Sequence, residues 1–241
     1  KYVKMTKNND KSSSFSLSSH LEKVLLADGN MNEAIIKNIM KYSSKYGRTI
    51  QEILRAKKGI TLIYNEFVEG SGIILFSLLL NLFGYRKSNG SENDSAKRYA
   101  LLTHKTTTIK RMSRLLDKIN SSENVTGNII NVIIGSKVIS EGFSIKNVVE
   151  EHILTPHWNY SETDQAISRG YRIGSHDGLK SLGIDVDIKI YQHVSMPKNS
   201  SEKSIDMIMY NLSEKKDISM KKIERLIMIS AVDCVLNYDR N

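Results

Sequence analysis

"IINVIIGSKVISEGFSIKNVVEEHILTPHWNYSETDQAISRGYRIGS", residues 129–175, holds the pattern that decides the fold. It opens on an apolar, β-branched run, 129–135, that ends on a glycine. A strand apolar at nearly every position, here all but Asn131, is buried on both faces, as central parallel strands are. A polar loop follows, then a second apolar strand at 150–155 and Pro156. Residues 161–174 have helical spacing, with Ser161 as N-cap and Asp164 three residues on. Strand, loop, strand and helix in that order describe part of an open α/β sheet.

The same alternation continues outward. Upstream, strands are expected at 60–65 and 98–104, and helices at 70–85 and 106–120. Downstream, a long strand is expected at 185–195, then helices near 201–212 and 219–237. Before residue 58 the pattern is helical: a short helix stopped by Gly29, then two more ending at Gly59. Residues 1–15, rich in Lys, Asn and Ser, read as a mobile tail or connector. The chain thus divides into a tail and helical connector (1–57), an α/β domain with a mostly parallel sheet (58–197) and a C-terminal helical extension (198–241). Ligands of such sheets sit beyond the carboxyl ends of the strands, so the loops after 65, 104, 135 and 155 are the ones to inspect.

Composition narrows the classes. Of 241 residues, 40% are hydrophobic and 25% charged, as in globular domains. The net charge of +9 favours a polyanionic partner, nucleic acid before membrane. The single cysteine, Cys234, excludes an internal disulfide, and its apolar helical setting suggests a buried structural thiol. The apolar run Gly72–Phe83 is too short to span a bilayer. The N-terminal residues lack an apolar signal core and an initiator methionine, so the sequence reads as the interior of a longer chain.

Four strand-end stretches could grip phosphate. Gly135, Ser136 and Lys137, then Glu141, Gly142 and Ser144, follow the third strand; small residues there let backbone N–H groups approach an anion, and taken alone a plain βα turn is the simpler reading. Gln165, Arg169 and Arg172 lie four and three apart, one face of a helix, where guanidinium forks fit phosphate oxygens as readily as they fit a solvated edge. Lys110, Arg114 and Lys118 share a stripe, with Arg111 beside it, over the apolar Met112, Leu115, Leu116 and Ile119; such a stripe becomes a nucleic-acid track only if it adjoins the other loops. Gly70, Ser71 and Gly72 precede an apolar helix, either as an anion site or with Ser71 as cap. The sequence has no G-x-x-x-x-G-K-[ST] loop, no Asp-Glu pair after an apolar strand to hold magnesium, no G-x-S-x-G elbow, and no metal-ligand spacing among its histidines. It has grips for phosphate without the machinery to hydrolyse it.

In this order the segments resemble the second RecA-like domain of superfamily 2 helicases and translocases. "ITLIYNEFVEGSG" is similar to motif IV, "VIIGSKVISEGFSIKNV" to motif V and "QAISRGYR" to motif VI, with Ser168 where that motif has glycine. "LLTHKTTTIKRMSRLLDKIN" resembles the segment after motif IV, and "IGS" the "IGQ" of chromatin-remodelling ATPases. The likeness covers about residues 58–175. The block "SEGFSIKNVVEEHILTPHWNYSETDQAISRGYR" further resembles ATPases of large cytoplasmic DNA viruses, the poxvirus-type early transcription factor and nucleoside triphosphatase group, and the C-terminal helices resemble their extension.

The resemblance implies a RecA-like three-layer domain and an ATP hydrolase that is active only when joined to an N-terminal RecA-like domain of the same polypeptide. Arg169 and Arg172 would reach the γ-phosphate of ATP held, with Mg2+, mainly by that domain, and Gln165 would open the motif. Glu141, Gly142 and Ser144 would lie near the nucleotide. Ser136, Lys137, Gly70, Ser71, Gly72, His104 and Lys105 would border the nucleic-acid strand, DNA or RNA, and Trp158 would stack on a base or pack beneath motif VI. The setting would be intracellular, host cytoplasm or virion, with no membrane partner and with viral transcription machinery as a further partner. Two other readings stay open: a non-catalytic nucleic-acid or transcription-complex module, and a domain that binds a small phosphate ligand by itself.

Overall fold

The computed structural model describes residues 2–7, 13–56, 58–140, 144–198 and 202–231. In chain order the elements are β1 (Val3–Lys7), β2 (Ser13–Leu17), α1 (Ser19–Leu25), α2 (Asn32–Met40), α3 (Ser44–Arg55), β3 (Ile60–Tyr64), α4 (Ile73–Asn81), β4 (Arg86–Lys87), β5 (Arg98–Leu102), α5 (Ile109–Ile119), β6 (Val132–Gly135), β7 (Val148–Ile153), α6 (Tyr160–Ile167), α7 (Asp177–Ser181), β8 (Lys189–Gln192) and α8 (Ile205–Ser230). They fall into two compact units, Lys1–Thr155 with Gln165–His193, and Pro156–Asp164 with Val194–Asn241.

The larger unit is built on a six-stranded sheet ordered β4-β5-β6-β3-β7-β8, with every neighbouring pair parallel. Alternation within each strand sends side chains to two cores. Ile63, Leu101, Val132 and Ile134 join α1–α4 in one cluster. Ile60, Leu62, Ala100, Leu102 and Ile133 join Met112, Leu115, Leu116 and Ile119 of α5 in the other. The apolar residues of α5 are buried as its spacing predicts. The expected α/β architecture, a mostly parallel sheet between helices, is present.

Register fixes where a site can form. Tyr64 pairs with Gly135 and Ile153, Leu102 with Gly135, and Ile153 with Gln192. Five strands therefore end level, and the loops after them share one rim.

The elements depart from the sequence expectations in several places. The first 15 residues are not simply a tail: β1 and β2 form an antiparallel hairpin with Val3 opposite Leu17, and Val3 and Leu17 pack on the first core. A two-residue edge strand, β4, and the short α7 have too few residues to show periodicity. The strand expected at 185–195 shrinks to four residues of mostly exposed edge. In the smaller unit, α8 is one helix of 26 residues rather than two. No Gly or Pro interrupts residues 205–230, and an Asp217–Lys221 pair at 2.8 Å supports the middle turn. Cys234 lies outside the described residues. No helix among the described residues is long and apolar enough to cross a membrane.

The turn into α4 also resolves differently. The cap is Gly72, which has no side chain to offer, and not Ser71. Ile73 and Ile74 donate their N–H groups to the carbonyls of Phe67 and Val68, at 2.9 and 3.1 Å. The chain itself thus satisfies donors that an anion would need. A Cβ on Gly72 would collide with the Phe67 carbonyl. Gly72→Ala is expected to cost about 2 kcal/mol through backbone displacement, read as a lower denaturant midpoint with an unchanged slope; wild-type stability would show that the turn can open freely.

Candidate nucleotide-facing site

The motif that opened the sequence analysis is built differently from its spacing. The helix starts at Tyr160, one residue before the expected cap Ser161, and stops at Ile167. Gln165 is helical, whereas Arg169 and Arg172 lie in the turns that follow. Spacing on a helical face is therefore not what positions the arginines. Ser168 Oγ donates to the Gln165 carbonyl (3.1 Å), and Ile145 N–H takes the Arg169 carbonyl (3.2 Å). Gly170 then presses on β7, where a Cβ would collide with Glu151 Oε1 and meet Val148 at 3.0 Å. Only glycine permits that approach.

Beyond Gly170 the chain is pinned again. Asn147 N–H donates to Ser175 O (2.9 Å). His176 Nε2 donates to the Val148 carbonyl (2.6 Å), and Ser175 Oγ lies 2.8 Å from His176 Nδ1. Both side chains are buried. Asn147 itself adopts φ 60°, a left-handed conformation that asparagine tolerates better than most residues. Ser175 closes the "IGS" noted above, whereas Asn147 and His176 carry no signal in the sequence, because a lone polar residue has no periodic context.

Arg172 is exposed, and its Nη1 donates to Ser144 Oγ at 2.6 Å. Ser144 is held from behind. Asn120, the C-cap of α5, donates Nδ2–H to the Ser144 carbonyl (3.0 Å) and accepts from Lys146 N–H through Oδ1 (2.9 Å). Arg169 is half-buried. Burial first, and the Arg172 charge second, lower the pKa of its guanidinium. It stays protonated nonetheless. Two like charges at this proximity attract an anion placed between them. Motif V's Ser144 and motif VI's Arg172 therefore meet in space, while Glu141 and Gly142 lie outside the described residues.

The other expected positions are distributed along the rim. Gly70, with φ 64°, and Ser71 are exposed, and Ser71 O accepts from Tyr46 Oη. His104 and Lys105 are exposed at the end of β5, and Lys105 Nζ meets Glu69 Oε1 at 3.0 Å, which ties the two loops together. Ser136 is buried and Lys137 exposed, directly after β6. Trp158 belongs to the smaller unit; the residue is 52% exposed, so it does not serve as core, and its carbonyl accepts from Lys216 Nζ (3.2 Å).

Two histidines 41 apart in sequence meet across β7 and β8: His152 Nδ1 lies 2.9 Å from His193 Nε2, with Tyr191 stacked on His152 at 4.8 Å. Burial, followed by the charges of His152, Lys45 and Arg48, pushes His193 down to about 4, so it is neutral near pH 7. Among the described residues no group of three or more His, Cys, Asp or Glu is arranged to hold a metal.

With this geometry in view, comparison with known proteins gives the class. The family model for the helicase conserved C-terminal domain matches residues 44–174, more than half of the chain, and the chain belongs to that family. Protein 087L of Invertebrate iridescent virus 3, named as a helicase, is 44% identical over 209 residues, which is 85% of this chain and 21% of that protein. The termination factor NPH-I homolog of African swine fever virus is 28% identical over 225 residues, covering 76% of this chain and 32% of that protein. Among solved structures, the C-terminal part of the Fun30 ATPase domain superposes with a TM-score of 0.50 at 16% identity, covering 70% of this chain and 44% of that one, a likeness of fold. The RecA-like assignment thus stands on sequence and fold together. The chain spans about a fifth of the iridovirus relative's length.

Proposed function

We propose that this chain is the C-terminal half of an ATP-dependent superfamily 2 nucleic-acid helicase or translocase, serving viral transcription in the host cytoplasm or virion. The observation that carries this reading is the exposed Arg172 guanidinium, seated on Ser144 beside Arg169 at the rim where the strands end. ATP with Mg2+, held mainly by the preceding RecA-like domain of the same polypeptide, supplies the phosphoryl group. Arg169 and Arg172 stabilise negative charge developing on that group. Gln165, in the last turn of α6, is the polar residue that opens this motif. Ser144, with Glu141 and Gly142, completes this domain's share of the nucleotide site. Ser136, Lys137, Gly70, Ser71, Gly72, His104 and Lys105 border a DNA or RNA strand along the rim, and Trp158 stacks on a base.

Half of such a site cannot turn over ATP. The 241-residue chain alone is expected to show no hydrolysis, and the full-length protein to show hydrolysis stimulated by DNA or RNA. Turnover by the isolated chain would refute the division of the site between two domains. A full-length protein that binds nucleic acid yet never hydrolyses ATP would establish the other reading, a non-catalytic nucleic-acid or transcription-complex module.

A further inference from the structure

Residues 144–147 lead into β7 and belong to no strand, yet both arginines are registered on them. Arg172 Nη1 donates to Ser144 Oγ (2.6 Å), and the Ile145 N–H donates to the Arg169 carbonyl (3.2 Å). Ile145 is fully buried in the core that α5 shares with the sheet. Its neighbours Ser144 and Lys146 are exposed. An extended segment outside a sheet has no ladder to hold its peptide groups. Here one side chain does the holding. Asn120 donates from Nδ2 to the Ser144 carbonyl (3.0 Å) and accepts at Oδ1 from the Lys146 N–H (2.9 Å). The amide thus grips the backbone on both sides of Ile145.

The helix itself does not need that side chain. Asn120 closes α5 with its backbone N–H, which donates to the carbonyls of Leu116 and Lys118. Its φ of −87° and ψ of 1° are open to any L residue. The loop, in contrast, needs an amide: a donor and an acceptor side by side, matching one carbonyl and one N–H. Glutamine has the same head on a longer stem and would overshoot. Both gripped groups belong to exposed residues, where water can replace a lost bond. The two hydrogen bonds therefore add little to stability, and what they fix is position.

Position matters because of what rests on Ser144. Among the described residues its hydroxyl is the one acceptor of the Arg172 side chain. A guanidinium on a long flexible stem has many rotamers, and an anchor at its tip selects among them. The backbone of Arg172 is set separately: its N–H donates to Ser175 Oγ (3.3 Å) and its carbonyl accepts from the Ser175 N–H (3.0 Å). We propose that Asn120 is a positioning residue of the nucleotide site, holding the Ser144 hydroxyl, and through it the Arg172 guanidinium, in place for the transferring phosphoryl group. The assignment rests on the role given to Arg172 above. Asn120 acts only through Ser144, so its loss is felt in turnover more than in nucleotide affinity. A misplacement of about 1 Å can slow chemistry by about 100-fold.

The test uses the full-length protein, with ATP hydrolysis measured at saturating nucleic acid. Asn120→Ala is expected to lower kcat by about 10- to 100-fold. KM and nucleotide Kd should stay within about twofold of wild type, and the denaturant midpoint should be unchanged. Added to Arg172→Ala, the same substitution is expected to lower kcat by less than about twofold more, because the group it positions is already gone. Asn120→Asp keeps the shape and the acceptor toward the Lys146 N–H, but turns an oxygen on the Ser144 carbonyl. It is expected to lose at least as much kcat as the alanine variant, and it carries the test should that variant fold poorly. Wild-type kcat in a folded Asn120 variant would overturn the positioning role alone. So would an equal loss with and without Arg172, which would place the effect elsewhere. Wild-type hydrolysis by Arg172→Ala would overturn the reading of the site beneath it.

Discussion

Arg172→Ala in the full-length protein is expected to cut nucleic-acid-stimulated ATP hydrolysis by about 10³-fold, within the range for loss of an arginine that stabilises phosphoryl transfer. That corresponds to about 4 kcal/mol of transition-state stabilisation. Nucleotide affinity should change far less, because the charge matters most where it develops during transfer. Arg169→Ala should behave alike, and the double variant should fall well short of the product of the two, since both side chains act on one group. Arg172→Lys should recover little, because an ammonium cannot fork across two oxygens. The readouts are kcat, KM and nucleotide Kd for each variant. Hydrolysis within threefold of wild type in both alanine variants would remove these residues from the chemistry. The geometry leaves little room for an indirect effect. Arg172 is exposed and touches Ser144, so its removal opens no cavity.

Glu151→Gln addresses stability, and here the expected effect depends on pH. Glu151 sits within β7, fully shielded from solvent, with its carboxyl tip against Gly170. Burial pushes its pKa up to about 8, opposed in smaller part by the Gly170 backbone. The folded protein therefore holds this proton more tightly than the unfolded chain does. Such a group stabilises fully below its unfolded pKa, and that contribution is lost as pH rises through the folded value. For Glu151 the loss runs from about pH 4.5 to about 8, on the order of 5 kcal/mol in all. Glutamine keeps the shape and cannot ionise. Near pH 5 the variant should match the wild type within about 1 kcal/mol. At pH 9 it should be the more stable by several kcal/mol, seen as a higher denaturant midpoint. A constant difference across that range would mean that Glu151 ionises in the folded state without penalty.

The sheet was legible because its strands are nearly uniform runs of Ile, Leu and Val, set off by glycine and polar loops. Residues 60–64 and 132–135 needed nothing but their own side chains to be placed. Short or mixed elements escaped for the complementary reason. Arg86 and Lys87 form a strand only because β5 runs beside them, and Val3–Lys7 only because Ser13–Leu17 folds back on it. The site was half legible. The residue types Arg169, Arg172 and Ser144 stood out, but the helix assumed to align the arginines ends before either. Tertiary contacts through Gly170, Ile145 and His176 place them instead, and no local pattern encodes these. Asn120 illustrates the same limit. The resemblance marked its neighbourhood, yet its grip on residues 144–146 appears only once α5 is laid on the sheet.

That grip makes α5 a strut. Over its 11 residues, about 16 Å, the helix has cationic side chains at one end and an amide clamp on the Ser144 loop at the other. Four apolar anchors hold its underside, so a push at the first turn cannot dissipate by bending and arrives at the last. Through Asn120, the far end of α5 bears on the loop whose Ser144 hydroxyl Arg172 rests on.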